Sequence, residues 1–390
     1  MPIRPRIALL IESSRAYGRG LLHGIAQYAR VHGHWSIFQQ ERMLDDPAPR
    51  WIERWKGDGI IARLENPELV EVVRRLKIPT IDVRGLFELP DIPLVETDDD
   101  KVIRLAIKHL RERGFHHFAF CGFAGANYSE RRLRYLRRQL GDLNLPLHIY
   151  AQGTATLKTQ TVEIETRGTL YDQTIASWLA SLPRPIGLIA CNDIRGQQVL
   201  NAARDAGIAV PEEIAVIGVD NDEVVCDLSD PPLTSVEPDT RRIGYEAAAV
   251  LDGLMRGKHP KDHKTFVRPA GVITRQSTDI LAIADRDIAS AVRFIRQHAT
   301  EEISVEDVLE QVPMSRSTLE RRFSKLIGHS PKTEILRVRL DRVKRLLAET
   351  DYSLAAIAGM TGFKHAEYLS TVFKQKMGKT PGQFRGKAKK

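Results

Sequence analysis

The chain has 390 residues, 42% of them hydrophobic and 28% charged, with a formal net charge of +8. Such a length predicts two or three domains with full cores, and the composition excludes a disordered, collagenous or disulfide-stapled chain. Cys121, Cys191 and Cys226 are too scattered for a disulfide framework or a metal site, the apolar run Ile7–Ile11 is too short for a secretion signal, and no stretch approaches a membrane span, so a cytoplasmic protein is expected.

Short apolar runs and helical patterns alternate along the first 275 or so residues. RIALLI (6–11) reads as a strand and GRGLLHGIAQYARVHG (18–33) as a helix. DGIIARL (58–64), PELVEVVRRLK (67–77) and IPTIDVRG (78–85) read as strand, helix and strand. A helix over 98–114 leads to the strand HFAFCGF (117–123), then to a helix over 129–143 and the strand LHIYAQG (147–153). A helix over 171–182 precedes the strand PIGLIACND (185–193), and a helix over 195–207 precedes EIAVIGVDND (213–222). The helix RRIGYEAAAVLDGLMRG (241–257) closes the series. Nearly unbroken apolar strands between amphipathic helices mean parallel sheets covered on both faces. Two similar α/β lobes suit this length better than one very wide sheet.

From Asp287 strand-like runs vanish. The segments 288–299, 304–312, 315–328, 332–350, 353–362 and 365–378 all fit a helical period, with Ser304, Ser315 and Ser353 as N-caps. The expected domains are therefore 1–277, a linker at 278–286, a helical domain at 287–385 and a basic tail at 386–390. Charge follows the same division. Residues 287–390 hold 20 Lys+Arg against 12 Asp+Glu, which leaves the first 286 with 38 of each. A basic module on a neutral one points to a polyanion partner for the module alone. A solvated helical surface is the plainer reading of the same charge.

Leu319, Phe323, Gly328 and Pro331 recur fifty positions on as Leu369, Phe373, Gly378 and Pro381. Each repeat reads as a helix-turn-helix, over about 304–327 and 353–377. Leu319, Phe323, Leu326 and Ile327 make the inward face of the first presenting helix, and Leu369, Val372 and Phe373 that of the second. Arg316, Ser317, Glu320, Arg321 and Lys325 then face outward, as do His365, Ala366, Glu367, Thr371, Lys374 and Lys376. A short helix with Arg, Ser, Thr and Glu on its free face suits the DNA major groove, where Arg forks onto guanine and Glu accepts from cytosine. Gly328 and Gly378 end the helices, and Pro331 and Pro381 start the next ones.

Ser315, Leu319, Phe323, Gly328 and Pro331, then Arg339, then Ile357, Ala358, Gly362, Phe363, Leu369, Phe373, Gly378, Pro381 and Phe384 resemble the AraC-type DNA-binding domain in order and spacing. The resemblance implies an all-α domain with two helix-turn-helix units and double-stranded DNA as partner. It places Ser317, Glu320 and Arg321 on bases in the first unit, and Ala366, Glu367 and Thr371 in the second. Pro313 stands in the first turn, where the family more usually has Gly.

The front resembles the two-lobed periplasmic-binding-protein fold of LacI-type sugar repressors, through IALLIESSRAYGRGLLHGI, TDDDKVIRLAIKHLRERGFHHFAFCG, SERRLRYL, GLIACNDIRGQQVLNAARDAGIAVPEEIAVIGVDND and PPLTSVEPDTRRIGYEAAAVLDGLM. A LacI-like sensor followed by an AraC-like reader resembles the bacterial xylose operon regulators. That likeness implies a transcription regulator with D-xylose as effector, a homodimer, activation in preference to repression, no cofactor and no membrane. Ligands of open α/β sheets sit at the carboxyl ends of strands. Candidate contacts are Asp220 at the end of the strand VIGVD, Asn192 and Asp193 at the end of the strand GLIAC, and Ser14, Arg15, Tyr17 and Arg19 after the first strand. Arg132 matches the sugar-clamping Arg of the LacI-like motif. Asp220 or Asn192 could instead cap a turn, Arg15 and Arg19 could be solvated, and Arg131 or Arg134 could replace Arg132. Asp98 reads as an N-cap.

Another pentose, a hexose or a nucleoside would need the same polar contacts, and a sugar-binding module without regulation is the more distant alternative. Catalytic readings are weak. Gly18, Gly20 and Gly24 are spaced one residue too long for a dinucleotide loop, and no P-loop, zinc-protease or serine-hydrolase motif is present. No catalytic residue and no metal ligand is expected.

Overall fold

A computed structural model of the chain describes residues 4–33, 35–44, 46–150, 165, 173–258, 260, 262–279 and 285–388. The ends of the expected strand at 147–153 and helix at 171–182, much of the linker and the last two residues of the tail lie outside them. The chain divides into two units, Met1–Ile280 and Leu281–Lys390.

The first unit has two lobes. One holds strands β1 (Arg6–Leu10), β2 (Ser36–Gln39), β3 (Gly59–Ala62), β4 (Thr80–Asp82), β5 (Leu94–Thr97) and β11 (Lys264–Val267), in the order β11-β5-β4-β3-β1-β2. Every neighbouring pair is parallel. The other holds β6 (Phe118–Cys121), β7 (Leu147–Ile149), β8 (Ile186–Ala190), β9 (Ile214–Val219), β10 (Thr234–Glu237) and β12 (Gly271–Ile273), in the order β12-β10-β9-β8-β6-β7. Only β12 in that sheet runs antiparallel to its neighbour. β3, β8 and β9 are buried at every residue, which is why they read as unbroken apolar runs rather than alternating ones.

Strand period 2 sorts β1 between two layers. Ile7, Leu9 and Ile11 pack against α1 (Ala16–Tyr28), while Ala8 and Leu10 pack against α2 (Pro67–Leu76). α3 (Asp99–Arg111), α4 (Asn127–Asp142), α5 (Gln173–Ser181), α6 (Asp193–Asp205) and α7 (Glu223–Leu228) belong to the second lobe, and α8 (Thr240–Met255) returns to pack on α1. A Cβ on Gly24 would lie 2.0 Å from Arg241 O, one on Gly244 2.1 Å from Leu21 O, and one on Gly20 1.9 Å from Thr240 Oγ1. Gly20 and Gly24, after the first strand, and Gly244 opposite them therefore let two helices touch. The chain crosses between lobes after β5, after β10 and after β11. These crossings are tied together by Asp98 N–H on Val267 O (2.8 Å) and Ala270 N–H on Glu237 O (2.8 Å). The sequence reading missed β2, β5, β10, β11, β12 and α7. All are short; β2, β11 and β12 are edge strands without a long apolar run, and β2 and β11 are largely exposed.

The second unit is helical throughout its described residues: α9 (Arg286–His298), α10 (Val305–Leu309), α11 (Arg316–Ile327), α12 (Pro331–Glu349), α13 (Leu354–Gly359), α14 (Ala366–Met377) and α15 (Pro381–Ala388). Ser315 accepts the Thr318 N–H and Ser353 that of Ala356, while the Ser304 N–H donates to Asp307 Oδ2 at 2.7 Å. Gly328 (φ +85°) and Gly378 (φ +67°) end the two presenting helices in the left-handed region that glycine favours. α12 ties both halves together. Its Leu340, Val343 and Leu347 pack on Ile357, Leu369 and Phe373. Its Arg339 donates to Ala299 O (2.6 Å) and Ile303 O (3.1 Å). Leu326, expected on the inward face, is 38% exposed: it lies in the last turn of α11, past the surface that covers Leu319 and Phe323.

Among the described residues no helix is long and apolar enough to cross a membrane. No group of three His, Cys, Asp or Glu side chains there could hold a metal ion.

Candidate functional site

Between the lobes lies a cavity of about 70 Å³, lined from the first lobe by Arg15, Tyr17, Leu44, Arg63, Val83, Arg84, Glu96 and Thr97. The second lobe contributes Asp99, Tyr128, Arg131, Arg132, Glu165, Asn192 and Asp220. Most of these follow the carboxyl end of a strand, where the backbone turns away and frees the side chain. Guanidinium and carboxylate groups alternate around the wall. Arg63 pairs with Glu12 (2.6 Å) and Glu65 (3.1 Å), and Arg84 with Glu65 (2.9 Å). Asp99 holds Arg131 Nε at 2.6 Å and Arg132 Nε at 2.9 Å.

Several contacts bridge the lobes. Arg15 pairs with Glu165 at 2.5 Å, Arg84 Nη1 donates to Asn127 Oδ1 at 3.0 Å, and Arg131 pairs with Glu96. Tyr128 donates its hydroxyl to Glu165 Oε1 (2.5 Å), and its ring lies under both Arg84 and Arg132. Tyr17 bonds Thr97 across 2.9 Å and lies under Arg63.

Burial sets the protonation of the acids. It pushes the Asp220 carboxyl up to about 6, against the nearby Arg132. Burial raises Glu96 as well, and Glu96 Oε2 is a buried acceptor with no hydrogen-bond partner. Burial also opposes the Asp99 charge, but Arg132 and Arg131 together hold its pKa below the usual range. Such a wall offers forked donors, free acceptors and two aromatic faces. Polyol hydroxyls, which donate and accept at once, fit those requirements.

Of the residues singled out from sequence, Arg15, Tyr17, Arg132, Asn192 and Asp220 meet in this cavity. Asn192 does two jobs: Oδ1 caps α6 through the Arg195 N–H (2.9 Å), while Nδ2 donates to Glu165 (3.1 Å). Asp193 is not on the wall. It is buried behind it, accepting from Ser235 Oγ (2.6 Å) and the Asp222 N–H (2.8 Å). Arg19 and Ser14 also lie off the wall, Arg19 donating to the carbonyls of Ser13 (3.0 Å) and Ser14 (2.8 Å). Arg134 is exposed and off the wall, whereas Arg131 stands beside Arg132 on it. Asp98 caps α3 through the Lys101 N–H at 3.1 Å. Arg63, Arg84, Glu96, Asp99, Tyr128 and Glu165 were not anticipated. Arg63 directly follows β3 and Arg84 comes two residues after β4, so the strand-end rule could have found them.

On the second unit, Arg316, Ser317, Glu320, Arg321 and Lys325 are exposed along α11. His365, Glu367, Thr371, Lys374 and Lys376 are exposed at and along α14, with Ala366 half-buried. Arg316 is pinned by Glu320 (3.2 Å) and Glu306, while Thr371 Oγ1 donates to Glu367 O at 3.0 Å. Each face is narrow and polar, and each helix is backed by a buried Leu–Phe pair, Leu319 and Phe323 or Leu369 and Phe373.

Residues 6–100 match the XylR N-terminal domain, residues 107–278 the periplasmic binding protein-like domain and residues 308–387 a helix-turn-helix domain. The chain is 33% identical to the xylose operon regulatory protein of Haemophilus influenzae over 97% of its own length and 98% of that protein's. It is 32% identical to the Escherichia coli K12 protein of the same name, over 98% and 97%. A solved structure of the xylose-binding transcription activator xylR aligns with a TM-score of 0.80 and 30% identity, covering 99% of this chain and 98% of that one.

Proposed function

The chain belongs to the xylose operon regulatory proteins, a family of transcription regulators rather than enzymes, and from that premise we propose that it binds D-xylose in the interlobe cavity and promoter DNA through α11 and α14. The observation that carries the sugar half is the cavity wall, where Arg15 and Glu96 of one lobe face Glu165, Arg132 and Asp220 of the other. A small polyol seated there bonds both lobes at once. It therefore favours the closed arrangement by its differential affinity for it, which is the only way a ligand can shift a conformational equilibrium. We assign Arg15, Tyr17, Arg132, Asn192 and Asp220 to the sugar, joined by Glu96, Arg84 and Glu165. Ser317, Glu320, Arg321, Ala366, Glu367 and Thr371 are assigned to base edges, and Arg316, Lys325, His365 and Lys374 to the phosphates beside them. The solved relative is an activator, and the same sense is assigned here, acting as a cytoplasmic homodimer that places two pairs of reading helices on DNA.

A thermal-shift panel of pentoses, hexoses and nucleosides on the full chain tests the reading. D-xylose is expected to raise Tm in a dose-dependent way, by about 2.7 kcal/mol of added stability at a hundredfold excess over Kd. A shift with a different sugar alone would overturn the effector, and no shift with any would overturn the sensor.

A further inference from the structure

β9 ends at the cavity in an unusual corner: Asp220 has φ +112° and Asn221 φ +47°, two successive non-glycine residues at positive φ. Four hydrogen bonds hold the corner. Asp220 N–H donates to Val236 O (3.0 Å), Asn221 N–H to Ser235 Oγ (3.0 Å) and Asp222 N–H to Asp193 Oδ2 (2.8 Å). The fourth comes from far along the chain, Arg275 Nη1 donating to Asn221 Oδ1 at 3.0 Å.

Arg275 opens the segment by which the chain leaves the sensor. It also donates to Asp227 Oδ1 (2.8 Å) and Leu233 O (3.1 Å). Ser277 and Thr278, just after it, are fully buried. Ser277 Oγ donates to Val216 O of β9 (2.6 Å). Thr278 Oγ1 bonds His109 Nε2 (2.7 Å), and its carbonyl accepts from Arg113 Nε (2.8 Å). His109 lies in the last turn of the helix whose first residue, Asp99, clamps Arg131 and Arg132 in the cavity, and Arg113 follows just past that helix's end. The exit segment is thus bonded to the strand and the helix that carry two of the cavity's acids.

We infer that Asn221 and Arg275 are a positioning pair that makes the Asp220 corner and the exit segment 275–279 move as one, so that a sugar on Asp220 alters the path by which the chain leaves the sensor. The inference rests on the sugar-sensor reading. Neither residue lines the cavity; both act through Asp220. A ligand bonded to Asp220 favours whichever placing of the corner it binds more tightly, and the Asn221–Arg275 bond passes that preference to the exit segment.

The test is hydrogen–deuterium exchange on the full chain with and without D-xylose, reading the amides of 275–279. Wild type is expected to exchange more slowly there when D-xylose is bound. Asn221→Gly keeps the corner, because glycine adopts φ +47° freely, and deletes the bond to Arg275. It should still bind D-xylose in a thermal-shift assay yet lose the exchange response. Asn221→Asp, which retains the acceptor, should restore it. Arg275→Gln cuts the same bond from the other side and should repeat the loss, which guards against a glycine variant that fails to fold. Unaltered exchange at 275–279 in xylose-bound wild type would overturn the coupling, as would a wild-type response in Asn221→Gly. Absence of any thermal shift in wild type would instead sink the sugar reading, and this inference with it.

Discussion

Asp220 carries the clearest pH signature. Burial pushes its carboxyl to about 6, so near neutrality it is an anion able to accept charge-assisted bonds, and below pH 6 it is a neutral acid. D-xylose affinity is therefore expected to be flat from pH 8 to 7 and to weaken toward about tenfold per unit as pH falls below 6. Calorimetric titration checks this. Asp220→Asn should bind more weakly at pH 7.5 with no such slope, and a flat wild-type profile would remove Asp220 from the sugar. Stability of the unliganded protein runs the other way. A carboxyl whose pKa is raised on folding stabilises the fold most below its unfolded value near 4, and that contribution is lost as pH rises through about 6. Asp82, also raised to about 6 by burial, shares that sign. At this scale the sequence was a partial guide. Asp220, Asn192 and Arg15 were legible because they follow strands with long apolar runs. Glu96 was not, because β5 is a four-residue strand with no pattern of its own. Glu165 was not, because its place in the cavity depends on tertiary packing that no spacing rule encodes.

Among the elements, the contact between α1 and α8 shows how a motif can mislead. Gly18, Gly20 and Gly24 resemble a nucleotide loop that is one residue too long, and their spacing answers packing needs: Gly20 and Gly24 meet α8, while Gly18 meets Glu12. A methyl on Gly24 would sit 2.0 Å from the Arg241 carbonyl, and backbone cannot step aside as a flexible side chain can. Gly24→Ala should destabilise the sensor by roughly 1–3 kcal/mol through overpacking, read as a fall of several degrees in Tm. Gly141, on the exposed side of α4 with nothing within 4 Å, is the matched control. Gly141→Ala should be neutral or stabilising by up to about 1 kcal/mol, since alanine loses less entropy in a helix. Equal losses for the two would refute the close-contact argument. Apart from the six-residue α7, the helices of both units were legible from their period and caps, because amphipathic faces and Ser, Asp or Asn caps are local features. Edge strands such as β2 and β11 were not, because an exposed edge needs no apolar run and takes its conformation from the neighbour it pairs with.

For the whole molecule, the split between a neutral front and a basic rear means that the two ligands engage different forces. DNA binding releases counterions and weakens steeply with salt. An uncharged sugar held by buried pairs is nearly indifferent to salt. The two halves nevertheless share one free-energy cycle. If D-xylose tightens DNA binding by some factor, DNA must tighten D-xylose binding by the same factor, which for coupled sites is typically about 5- to 150-fold. The measurement is a pair of D-xylose titrations of the full chain, one alone and one with a saturating DNA duplex selected for binding, at matched ionic strength. Their Kd ratio should equal the ratio of DNA affinities measured with and without sugar. Equality above one would establish that the sugar changes how tightly the reading helices hold DNA. A ratio of one with both ligands bound would exclude control through DNA affinity and require the sugar to act on a step after binding.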